Sequence, residues 1–140
     1  MYGNKISKIP DGIGQLKNLR EWHAMHNQIK TLPESVGQLE SLRKLNLGNN
    51  HLSALPESLG SLQNLTDLDL RINCLTSLPE SIGKIRTLRF LDLRENKLTS
   101  LPASIGDLPY LEKLDVRLNK NLKIPNWFKE LEQRGCTVFH

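Results

Sequence analysis

Three aspartates and three arginines recur at a fixed interval. Asp69, Asp92 and Asp115 are each followed, two residues on, by Arg71, Arg94 and Arg117. Carboxylates and guanidiniums in this order suit one kind of chemistry, charge-assisted and often bidentate hydrogen bonding. The arginines can neutralise aspartates of their own chain, because stacked like charges repel. They can equally hold the carboxylates of a partner, and the sequence leaves both uses open. Nothing comparable supports bond-making. There is no glycine-rich phosphate loop, no G-x-S-x-G and no metal-ligand spacing. Ser35, Ser58, Ser81 and Ser104 recur as polar groups at the start of short helices. His23 and His26 lie close together, but no further ligands accompany them, so they read as solvated edge residues. No catalytic residue, metal or cofactor is expected.

The interval between the aspartates is 23 residues, and it governs the whole chain. Leu19, Leu42, Leu65, Leu88 and Leu111 each open the text L-x-x-L-x-L-x-x-N, with small exceptions. The asparagines are Asn27, Asn50, Asn73, Asn96 and Asn119. Six residues beyond each stands a proline: Pro33, Pro56, Pro79, Pro102 and Pro125. Asn4 and Pro10 keep the same spacing, so the back half of a further repeat precedes five full ones. The last two leucines of each motif alternate with polar residues, the period of a strand with one buried face. Leu68 and Leu70 should point inward, and Asp67, Asp69 and Arg71 outward. The asparagine amide should bond turn groups that would otherwise be buried without partners. Proline suits the first turn of a short helix, which Gly37, Gly60, Gly83 and Gly106 should end or bend. One such unit cannot bury its own leucines, whereas stacked units can.

This text resembles the leucine-rich repeat family, in its 23-residue intracellular type with L-P-x-S-I-G, similar to Ras-group and bacterial members. The resemblance implies an α/β solenoid: a short curved horseshoe with a parallel β-sheet on its concave face and short helical or 3-10 segments on its convex face. A single domain, 1–140, is expected. It divides into a partial repeat at 1–18, repeats at 19–41, 42–64, 65–87, 88–110 and 111–133, and a helix–strand cap at 126–140. In the cap, Trp127 and Phe128 should form a lid, WFKELEQRG an amphipathic helix stopped at Gly135, and CTVFH a last strand. Met1 falls where a core leucine would sit. The first 18 residues should therefore cap poorly, leaving either an upstream continuation or another copy to cover Trp22 and Ile6.

The resemblance also implies that partners bind the concave face, so the outward letters carry specificity. Packing explains the constant leucines but not Phe90, whose column otherwise reads Glu21, Lys44, Asp67 and Lys113. Ile72 and Leu118 are likewise apolar at exposed positions. An apolar centre ringed by Arg71, Arg94 and Arg117 with Asp69, Asp92 and Asp115 suits an interface. Scattered surface hydrophobics would look the same. The candidate partner-binding residues are these nine with Lys113.

The totals limit the partner classes. A net charge of +4, spread along the chain, is too weak and diffuse for a nucleic-acid footprint. No apolar run is long enough for a signal peptide or a membrane span. Cys74 and Cys136 lie about three layers apart, beyond the ~7 Å reach of a disulfide. A reducing, cytoplasmic setting follows as the expectation. The expected function is a non-catalytic protein–protein interaction module, a scaffold or regulatory segment of a larger intracellular protein. By resemblance, a small GTPase or signalling enzyme is a conceivable partner. The alternative is a spacer, or a repeat that self-associates through its open N-terminal edge. Its catalytic domain, of ubiquitin-ligase or GTPase type, would then lie elsewhere in a longer chain.

Overall fold

The computed structural model describes residues 3–140, so the expectation for Met1 lies outside the described residues. Each 23-residue text forms one coil. Its strand is three residues long: β1 Glu21–His23, β2 Lys44–Asn46, β3 Asp67–Asp69, β4 Phe90–Asp92 and β5 Lys113–Asp115. A sixth strand, β6 Thr137–Phe139, completes one parallel sheet in chain order. The register is strict, with Leu45, Leu68, Leu91, Leu114 and Val138 side by side. Backbone bonding continues beyond the strands: Leu70 N–H donates to Asp92 O at 2.8 Å, and Ile72 N–H to Arg94 O at 2.8 Å. Opposite the sheet, each coil carries a 3-10 turn, such as Glu57–Ser61 and Glu80–Lys84. The leucines between these layers are almost wholly buried and form one continuous core.

Proline does not occupy the first turn. It precedes it in extended conformation, at φ −72° and ψ 148° for Pro56, so its ring fixes the entry of the turn. The serines do not cap the turns either. Ser81 Oγ donates to Glu57 O of the preceding coil at 2.7 Å, and Ser104 Oγ donates to Glu80 O at 2.9 Å. The glycines serve close approach between coils. A Cβ on Gly60 would lie 2.5 Å from Ser81 O, and one on Gly37 2.5 Å from Ser58 O.

The asparagines form a second spine. Asn73 Nδ2 donates to Leu70 O of its own coil and to Leu47 O of the coil before, both at 3.0 Å. Its Oδ1 accepts from Leu52 N–H at 3.0 Å. Asn50, Asn96 and Asn119 repeat this arrangement. The amide therefore joins neighbouring coils as well as serving its own turn.

The C-terminal residues carry a helix and the last strand. Helix α1, Phe128–Gln133, buries Phe128 and Leu131, and Gly135 follows at φ +92°. Trp127 packs over Gly106, and its ring meets Phe128 edge-on at 5.0 Å. At the other end, Trp22 is buried within the chain itself, and Ile6 packs against the same core.

Candidate functional site

A strand three residues long presents two outward side chains on either side of one inward apolar residue. Six such strands in register turn sequence columns into rows across the concave face. The row at the strand starts is Glu21, Lys44, Asp67, Phe90, Lys113 and Thr137. The next outward row is His23, Asn46, Asp69, Asp92, Asp115 and Phe139. Arginines follow two residues further along the chain.

The arginine–aspartate ladder is real and closed on itself. Arg94 grips Asp92 with Nε at 2.9 Å from Oδ1 and Nη2 at 2.6 Å from Oδ2, and reaches Asp115 Oδ2 at 3.4 Å. Arg117 holds Asp115 in the same forked way, at 2.9 and 2.7 Å. Arg71 is looser, 3.3 Å from Asp69. These bonds, Asp92 foremost, raise the Arg94 pKa, and Arg117 is raised likewise by Asp115. Of the two uses the sequence allows, this arrangement is charge compensation within the chain.

Asp115 departs from its expected exposure, because none of its side chain reaches solvent. Arg117 and Arg94 lie against it, and β6 pairs with its strand. Burial pushes its carboxyl up, but the bonds from Arg117 outweigh this and hold it below the usual carboxylate range. Asp69 shows the opposite balance. Burial raises its pKa more than the bond from Arg71 N–H and the Arg71 charge lower it.

The signs of the two linkages differ. Stability from Asp115 is present above the ordinary carboxylate pKa of about 4 and is lost as pH falls through the lower folded value. The Asp69 contribution is present at low pH and is lost as pH rises through its raised value. Asp115→Asn should therefore cost about 1–3 kcal/mol near neutral pH, as expected when charged hydrogen bonds are lost. The loss should shrink on acidification to about pH 3. Asp69→Asn should be neutral or stabilising near neutral pH. Urea unfolding at the two pH values checks both.

Phe90 does not sit among the ladder arginines. It stands at the start of β4, 36% exposed, with the Arg89 guanidinium 5.4 Å from its ring centre. Arg94 lies four residues on, roughly 13 Å along extended chain. Phe90 instead borders a shallow depression of about 300 Å³ that reaches from β1 to β5, together with Lys44, Asp67, Asp69, Asp92 and Lys113. Ile72 and Arg71 border a separate hollow near the turns with Met25 and Gly48. Leu118 and Arg117 face a third, beside His140. Asp115 is buried and borders none of these hollows, Arg94 borders two, and Phe90, Ile72 and Leu118 do not form one apolar patch. Sequence reasoning placed Lys44 and Asp67 in the right column but not in the site. The varied chemistry of that column was the available signal.

Ile72 and Leu118 carry a constraint that hydropathy does not reveal. Their row, His26, Asn49, Ile72, Glu95 and Leu118, has left-handed backbone, with φ between 52° and 63°. Asn49 was the signal, since asparagine tolerates this region. A β-branched side chain there is strained. Ile72→Asn should stabilise the fold by about 1 kcal/mol, because the left-handed penalty is ~1–2 kcal/mol for ordinary residues. A higher midpoint in thermal unfolding is the check.

His23 bonds Glu21 at 3.3 Å, and the ring Nδ1 of His26 meets Asn49 Nδ2 at 2.7 Å. Among the described residues, no three His, Cys, Asp or Glu side chains gather in a metal-binding arrangement. No described helix is long and apolar enough to cross a membrane. Cys74 and Cys136 are free thiols, and burial raises the pKa of Cys136.

Stacked parallel coils with an amide spine and a rigid, side-chain-varied sheet define a solenoid of recognition type. A model described as leucine-rich repeat region matches residues 37–133. The chain belongs to the leucine-rich repeat family, whose fold serves as a protein-interaction module. Among solved structures it is similar to a leucine-rich repeat protein of Leptospira interrogans, at 35% identity and TM-score 0.91, over 100% of this chain and 36% of that one. It is also similar to the ectodomain of the plant membrane receptor kinase GASSHO1/SCHENGEN3 from Arabidopsis thaliana. That structure, in complex with Casparian strip integrity factor 2, matches at 32% identity and TM-score 0.79, over 87% of this chain and 15% of that one. A TDR receptor matches at 31% identity and TM-score 0.83, over 94% and 23%. The chain thus spans about a third or less of the length of these relatives. A search of curated protein sequences gives no match.

Proposed function

We propose that this chain is a non-catalytic recognition segment that binds another protein through the start-of-strand half of its concave sheet. In this reading it acts as a scaffold or regulatory part of a larger intracellular protein. The observation that carries the reading is Phe90. The core does not use it, the chain leaves it 36% exposed, and it borders a depression among charged groups. A desolvated aromatic surrounded by polar rim residues is what concentrates binding energy at an interface. The sheet behind it is fixed by backbone and amide ladders, so little ordering is lost on binding. The similar GASSHO1/SCHENGEN3 ectodomain was solved in complex with a factor, which supports the class of activity.

The ladder arginines support this surface without forming its centre. Arg94 and Arg117 are occupied by Asp92 and Asp115, and exchanging those bonds for a partner's carboxylate would leave the buried Asp115 uncompensated. The test is photocrosslinking. A benzophenone amino acid at position 90 should capture a discrete protein from a lysate of the source organism, and the same group at convex Glu57 should not. Equal capture at both positions would refute the concave assignment.

A further inference from the structure

The geometry points to an extended protein segment as the ligand of the concave depression, carrying a basic and an acidic side chain on either side of an apolar one, matched to Asp67, Phe90 and Lys113. This inference rests on the concave-face reading above and names the chemistry of its partner.

The three residues lie side by side on β3, β4 and β5, in direct register and on one wall of the same depression. Neighbouring strands are ~4.8 Å apart, so Asp67 and Lys113 stand roughly 10 Å apart with the phenyl ring between them. Among the described residues, neither charge has an opposite charge within ion-pair distance. The Asp67 carboxylate accepts the Thr66 hydroxyl at 2.6 Å, but among the described residues no cation lies within ion-pair distance. Lys44, its register neighbour on β2, is drawn instead to Glu21 at 3.3 Å. The Lys113 ammonium lies 5.2 Å from the Phe139 ring centre and, among the described residues, has no carboxylate within ion-pair distance. This differs from the next row, where Asp92 and Asp115 are saturated by arginine.

An unpaired acid, an exposed aromatic and an unpaired base in line form a polar pattern with a direction. Its complement is base, apolar group and acid in the same line. Side chains of an extended chain alternate, so base, apolar group and acid on one face stand two residues apart and span ~13 Å, which long side chains match to the roughly 10 Å between the two charges. The partner segment therefore crosses the strands, with its basic residue over Asp67, its apolar residue two positions on over Phe90 and its acidic residue four positions on over Lys113. Opposite charges at a rim select orientation as well as partner.

The experiment uses a displayed library of random peptides, long enough to cross the sheet at about ten residues. It is selected against the wild-type chain and against the charge-exchanged variant Asp67→Lys/Lys113→Asp, after matching circular dichroism shows that both are folded. Selected wild-type binders should share a basic and an acidic residue about four apart, with an apolar one midway between them. They should lose about tenfold in affinity for either single reversal, D67K or K113D. The exchanged variant should enrich the reversed order. Wild-type binders that weaken with Phe90→Ala but ignore both charge reversals would overturn this inference while leaving the concave-face reading in place. Binders indifferent to Phe90→Ala as well would overturn both, and a library yielding no binder would also count against the inference.

Discussion

Asn73→Ala should cost this protein about 3–5 kcal/mol, enough to unfold a domain of ordinary marginal stability. The side chain is buried and serves two coils at once. Its removal leaves Leu52 N–H without its acceptor and takes a donor from Leu47 O and Leu70 O. Each buried polar group left unmatched costs about 1–3 kcal/mol. Water cannot readily repair the loss, because the leucines around the site exclude it. Asn73→Asp should be nearly as damaging, since a carboxylate keeps an acceptor for Leu52 but loses the donor to both carbonyls. The measurement is equilibrium unfolding in urea, with Asn64→Ala as an exposed comparison expected to cost far less.

Gly60→Ala should be the second large effect, costing about 2–3 kcal/mol by overpacking. The new methyl would lie 2.5 Å from Ser81 O and 2.7 Å from Ser81 Cβ of the next coil. The carbonyl is backbone and cannot swing aside, so the two coils must part. Parting them also lengthens the bond from Ser81 Oγ to Glu57 O, now 2.7 Å. Gly12→Ala is the matched control, because nothing lies within 4 Å of a Cβ there. Thermal unfolding should separate the two, with a clear fall in midpoint for Gly60→Ala and little change for Gly12→Ala.

These two positions show how far the residues alone could be read. The 23-residue period and the leucine alternation specify the coils, because a period-2 strand and a buried face leave one way to stack them. What lies between coils was harder to read. A serine two places after proline and a glycine two places after that resemble local helix punctuation. Their contacts run instead from one coil to the next, and a single-coil reading cannot reveal them. The asparagine was assigned to its own turn for the same reason, although half of its bonds cross to the neighbouring coil.

The candidate site was legible by column and misread by distance. Phe90 stood out because its neighbours in the column are charged. Its grouping with Ile72 and Leu118 ignored the length of the strand and the left-handed turn that follows it. The ladder pairs Asp69–Arg71, Asp92–Arg94 and Asp115–Arg117 were readable from spacing. The burial of Asp115 was not, because it depends on β6, which arrives from 22 residues further along the chain.

Phe90 is the proposed anchor of a protein partner on the concave sheet. The direct measurement is the Kd of the protein captured at position 90 for wild type, Phe90→Ala and the convex control Glu57→Ala, each verified as folded. An aromatic anchor in an interface contributes about 2 kcal/mol or more, roughly thirtyfold in Kd. At least that loss is expected for Phe90→Ala and none for Glu57→Ala. An unchanged Kd for Phe90→Ala would contradict this role.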